Sequence, residues 1–136
     1  MIKQHVLLIF QNAYTNTRSR SIRFKSPTYG TDWINRKNAT YSRVIPHLEP
    51  HFQISMSECT PKLAKNKTDK FDTDLDWVQR ALDEKEWFAV ITFGKQAEKA
   101  VLDLKFEAFA MLPHPVSWAW RRTMIEDITE RLLTSI

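Results

Sequence analysis

His5-Val6-Leu7-Leu8-Ile9-Phe10 is an unbroken apolar run of strand length, and Gln11-Asn12 ends it. A continuous run, as opposed to one alternating with polar residues, belongs to a strand covered on both faces, as in parallel sheets flanked by helices. Trp87-Phe88-Ala89-Val90-Ile91-Thr92-Phe93 has the same character and closes on Gly94. His51-Phe52-Gln53-Ile54-Ser55-Met56 alternates and predicts a second strand. Phe106 to Met111 predicts a fourth, broken by Leu112-Pro113.

Helical patterns separate these runs. Asn38 can cap a short helix carrying Tyr41, Val44, Ile45 and Leu48, and Thr73 can cap one with Leu75, Val78, Ala81 and Leu82 on one face. Ala97, Ala100, Val101 and Leu104 recur at helical spacing after Gly94. The last helix is expected to start near Ser117 and to direct Met124, Ile125, Ile128, Leu132 and Leu133 inward. Strands alternating with helices predict an α/β fold, a three-layer α/β/α arrangement around a mostly parallel four-stranded sheet with right-handed crossovers.

The 136 residues predict one domain over 1–136, long enough to bury a core. No apolar run approaches a membrane span, and Met1-Ile2-Lys3-Gln4 leads straight into a strand pattern without the features of a signal peptide. A soluble, cytoplasmic protein with no membrane partner is expected; no pattern specifies an oligomeric state. Cys59 is the single cysteine, which excludes an intramolecular disulfide and an all-cysteine metal cluster and predicts a packed thiol. Two glycines, Gly30 and Gly94, are too few for a glycine-rich phosphate loop, which removes P-loop NTPases and ordinary dinucleotide folds.

Charge is uneven within a formal net of +4. Arg18, Arg20, Arg23 and Lys25 crowd one polar segment and Lys62, Lys65, Lys67 and Lys70 another, a pattern that suits either phosphate neutralisation or a solvated loop. Asp72, Asp74, Asp76, Asp83, Glu84 and Glu86 oppose a generally basic surface. The polar stretch from Gln11 to Lys37 is longer than a plain connector, and long ordered loops are usually functional.

In a parallel α/β sheet, ligands bind outside the C-terminal ends of the strands. That rule directs Asn12, after the first strand, and His114, after the fourth, to one cleft. An Asn amide carries both donor and acceptor and can orient a water or hold a base edge, or cap a turn. His114 stands between Pro113 and Pro115, which stiffen its loop, and its ring can donate to a developing oxyanion or serve structure alone. Ser117 suits a phosphate at a helix N-terminus or the capping of that helix.

Four segments, in order, resemble the motifs of the uracil-DNA glycosylase superfamily. Phe10-Gln11-Asn12-Ala13-Tyr14 is similar to its first motif, where a strand ends in Gly-Gln-Asp-Pro-Tyr or Gly-Ile-Asn-Pro-Gly. Ile54-Ser55-Met56-Ser57-Glu58-Cys59-Thr60-Pro61 is similar to the second-strand segment, usually Thr-Asn followed by Cys and Pro. Ala89-Val90-Ile91-Thr92-Phe93-Gly94-Lys95-Gln96-Ala97 resembles its strand-Gly-Lys-x-Ala helix start, and Leu112-Pro113-His114-Pro115-Val116-Ser117 its His-Pro-Ser motif.

The resemblance implies a uracil-DNA glycosylase-like fold and cleavage of the bond between a base and deoxyribose after the nucleotide is flipped out of DNA. It implies that His114 hydrogen-bonds the pyrimidine O2 as charge builds there and that Asn12 positions water, although an amide cannot accept a proton as a carboxylate does. Gln11, Tyr14 and Ser55 fall at base-binding positions; Ser55 replaces the usual Asn and offers no paired donor and acceptor. Candidate DNA contacts are Arg18, Arg20, Lys62, Lys65, Ser117, Trp118 and Arg121, with Trp118 as a wedge that stacks on exposed bases. Phe24, Tyr29 and Trp33 are all candidates for the base-stacking ring. The cysteines of the iron–sulfur members are missing, and no metal or organic cofactor is expected. Beside the glycosylase stand two other readings: a DNA-binding module without catalysis, and a small nucleoside- or nucleotide-binding α/β protein.

Overall fold

The computed structural model describes residues 3–11, 26–62 and 71–136 of the chain. At its centre lies β1 (His5–Phe10), with Val6, Leu7, Leu8 and Ile9 inaccessible to solvent. β3 (Gln53–Glu58) and β4 (Ala89–Phe93) pair parallel to it on either side, and β5 (Ala110–Leu112) extends the sheet parallel to β4. β2 (Tyr29–Gly30) adds an antiparallel edge, giving the order β2-β3-β1-β4-β5. The expected four strands are therefore joined by a fifth, too short to leave a periodic signal in the polar segment that holds it.

Successive side chains of a strand point to opposite faces, and β1 feeds two cores. Val6, Leu8 and Phe10 pack in one with Tyr41, Val44, Ile45, Leu48, Ile125, Ile128 and Leu132, from α1 (Ala39–Ser42), α2 (Ile45–Leu48), the turn between them and α5 (Arg122–Thr134). Leu7 and Ile9 pack in the other with Val78, Ala81 and Leu82 of α3 (Leu75–Asp83) and Ala97, Ala100 and Val101 of α4 (Lys95–Asp103). The sheet thus lies between two helical layers. Each fully buried Leu or Ile contributes about 1.5–3 kcal/mol, which makes β1 the strongest apolar anchor. Among the described residues no helix is long and apolar enough to cross a membrane.

Several boundaries differ from the sequence pattern, each for a local reason. The N–H groups of His51 and Phe52 both donate to the Leu48 carbonyl, closing α2, so the strand begins at Gln53 and runs on to Glu58. Asn38 caps α1 through its side chain, but Val44 leaves helical geometry, so two short turns replace one helix. Asp74, not Thr73, caps α3; Leu75 is 38% exposed and Trp77 is buried in its place. α5 starts at Arg122 because Ser117 is taken up by turns, its N–H donating to His114 and its carbonyl accepting from Trp120. Leu133 consequently faces solvent at 37% exposure.

Gly94 joins β4 to α4 at φ 93° and ψ 164°, a conformation essentially reserved for glycine, while its N–H donates to the Leu112 carbonyl at 2.8 Å. A Cβ there would meet His114 Cβ at 3.6 Å, an ordinary contact, so the cost of a side chain is backbone strain. Gly94→Ala is expected to destabilise by about 1–3 kcal/mol. Urea titration should show a lower midpoint at unchanged m-value; an unchanged midpoint would mean that the β4–α4 junction relaxes freely.

Candidate functional site

The chain passes from β1 to β3 on one side and then returns to place β4 on the other, so the strand order reverses beside β1. Such a switch point opens a crevice at the C-terminal ends of the strands. A cavity of about 490 Å³ lies there, within the range of small-molecule sites. Gln11 enters it from the end of β1, Lys95 and Glu98 from the first turn of α4, and Met111 and Leu112 from β5. The loop after β5 supplies His114, Ser117 and Trp118.

His114 is held by its neighbours. The Val116 N–H donates to its Nδ1 at 3.2 Å, the Ser117 N–H donates to its carbonyl at 2.9 Å, and its ring lies against Gly94. Burial pushes the imidazole below its usual pKa, favouring the neutral ring. A neutral ring that accepts at Nδ1 carries its proton on Nε2, where it is available as a donor. The loop is fastened from outside by Arg43, which donates through Nη1 to the Pro115 carbonyl at 2.6 Å. Nothing in the sequence links Arg43 to a loop 72 residues away.

Gln11, His114, Ser117 and Trp118 line this one cavity, and Trp118 stands at the rim 90% exposed. Ser117 spends its hydroxyl locally, accepting from the Ala119 N–H at 3.0 Å. Arg121 turns Nη1 back to the carbonyls of Trp118 and Trp120, both at 2.8 Å, and so braces the loop. Lys62 does not line the cavity. It lies over the Phe71 ring, and the Phe71 carbonyl accepts from Gln96, next to Lys95. Asn12, Tyr14, Arg18, Arg20 and Lys65 lie outside the described residues.

Ser55 does not line this cavity. Because β3 starts at Gln53, Ser55 pairs with Leu7 at mid-strand, and its hydroxyl bonds His5 Nε2 at 2.8 Å near the opposite end of the sheet. Three positions separate it from Glu58, the last residue of β3, or roughly 10 Å along the strand. A second cavity, of about 460 Å³, lies toward that opposite end, beside Lys3, Gln53 and Ile54, and no expected site residue lines it. Among the described residues no group of three or more His, Cys, Asp or Glu could hold a metal ion.

Glu58 escaped the sequence reading because it lies beyond Met56, where the expected strand ended. It is buried, accepts from the Tyr29 hydroxyl through Oε1, and leaves Oε2 without a partner. Burial raises its pKa from 4.5 to about 8, so at neutral pH it is a carboxylic acid. Cys59 beside it is buried too, and burial pushes its thiol up to about 12, which leaves it unreactive.

A carboxyl with a raised folded-state pKa keeps a proton that the unfolded chain releases. Its stabilisation is complete below about pH 4.5 and is lost as pH rises through about 8. Glu58→Gln is expected to remove this slope. The difference in unfolding free energy between wild type and variant should shift against wild type across that window; a pH-independent difference would place the proton elsewhere.

No family model matches this chain, and no curated protein or solved structure matches it in comparison.

Proposed function

We propose that the chain is a uracil-DNA glycosylase-like enzyme that hydrolyses the bond between an altered base, such as uracil, and its deoxyribose in DNA. One observation carries this reading: a single crevice at the strand ends contains Gln11, which directly precedes Asn12, and a half-buried His114 whose Nδ1 already accepts a backbone N–H. As the base departs with the bonding electron pair, negative charge grows on its carbonyl oxygen, and His114 Nε2–H donates to it. A fixed donor inside a partly desolvated cavity needs no reorganisation when the charge appears. Asn12 holds the water that attacks the sugar carbon. Trp118, exposed beside the cavity mouth, fills the gap in the duplex left by the flipped base.

A second reading, a DNA-binding module without catalysis, has one observation in its favour. The Ser55 hydroxyl is engaged by His5 and leaves the crevice without the base-reading amide that the resemblance implies.

The decisive experiment incubates the protein with labelled DNA containing one uracil, single-stranded and opposite G or A, and cleaves abasic sites with alkali. Loss of one oxyanion donor costs about 10²–10³ in rate, and His114→Ala is expected to fall by that amount while still binding DNA. Asn12→Ala should fall as well. DNA binding without base release from uracil or other altered bases would support the module instead. Salt-insensitive binding would count against both DNA readings, since phosphate contacts make affinity fall with salt.

A further inference from the structure

Glu98 is the only carboxylate among the described residues that line the His114 cavity. It is half-buried on the first turn of α4, and its N–H donates to the Gly94 carbonyl at 3.1 Å. A side-chain carbon on Gly94 would stand 3.6 Å from His114 Cβ and 4.0 Å from its ring. Glu98 and His114 therefore border one cavity on either side of Gly94. The Glu98 side chain makes no ion pair or hydrogen bond among the described residues. The N-terminal end of α4 favours its negative charge.

An anion in this position is a liability for binding alone. A cleft that receives phosphate-bearing DNA loses affinity to any fixed negative charge within it. The same charge becomes favourable if positive charge develops in the cavity, and rupture of a glycosidic bond leaves the sugar as an oxocarbenium-like cation. Asn12 cannot take up a proton, so the first-motif position lacks the base that a carboxylate would supply.

Resting on the glycosylase reading above, we infer that Glu98 is a catalytic residue whose carboxylate faces the sugar as it turns cationic and receives the proton of the attacking water. The C1′–N bond breaks with its electron pair passing to the base, whose oxyanion His114 holds. Water adds to C1′, its proton passes to Glu98, and that proton is finally returned to the departing base. Water is the sole co-reactant, and the products are the neutral base and an abasic sugar bearing a hydroxyl.

The test compares two duplexes, one carrying a pyrrolidine abasic mimic, protonated on its ring nitrogen, and one carrying a neutral tetrahydrofuran mimic. Wild type is expected to bind the pyrrolidine duplex about tenfold more tightly, the scale of one partly screened charge pair. Glu98→Gln should erase that preference without weakening tetrahydrofuran binding, and Glu98→Asp should restore part of it. Equal affinity of wild type for the two duplexes, or a preference that survives in Glu98→Gln, overturns the role of Glu98 while leaving the DNA reading intact. Failure to bind either duplex overturns the DNA reading and this inference with it.

Discussion

Everything in this fold depends on the double-sided burial of β1. Val6, Leu8 and Phe10 serve one core and Leu7 and Ile9 the other, so displacing this strand by one residue would exchange the two sets. Its parallel pairing with both β3 and β4 also fixes where the strand order reverses. The crevice at the C-terminal end of β1 is thus a consequence of the same packing that stabilises the chain. Site and core share a single cause.

A run of rings carries that rigidity to the crevice. Tyr41 meets Phe10 edge-on at 5.7 Å, Phe10 stacks on Phe93 at 4.8 Å, and Phe93 lies 6.2 Å from Trp120. The rings therefore link α1 to the ends of β1 and β4 and to the loop that follows His114. Arg43 and Arg121 hold the same loop by its carbonyls. A histidine fixed in this way keeps its donor in one place, the condition under which a hydrogen bond stabilises developing charge without prior rearrangement. Trp118, bound by no such packing, is left to solvent at the rim.

Half-buried His114 and buried Glu58, both towards this end of the sheet, respond to burial in opposite chemical senses with the same electrical result. Desolvation disfavours charge, so His114 is pushed towards losing its proton and Glu58 towards keeping one. Both are neutral near pH 7. The charge that remains around the cavity comes from Lys95 and Glu98, which stand on its wall and retain contact with solvent. The electrostatic character of the crevice therefore belongs to the first turn of α4, while the neutral donor comes from the loop after β5.

The sequence by itself determined the layering. Apolar runs of strand length and helical periodicities between them are local signals, and the rule that ligands gather at strand ends directed Asn12 and His114 to one cleft, of which the described residues include Gln11 and His114. It did not determine exact ends, because Leu48 accepting from both His51 and Phe52 delays β3 until Gln53. That delay of two residues puts Ser55 at mid-strand, within reach of His5, and leaves Glu58 at the strand terminus. Arg43 and Glu98 carry no motif and gain their place from neighbours distant in sequence, and Glu58 gains its own from the residues that bury it. Tertiary structure alone decided those contacts, because burial and long-range hydrogen bonding depend on which surfaces meet, and no periodicity along a chain records that.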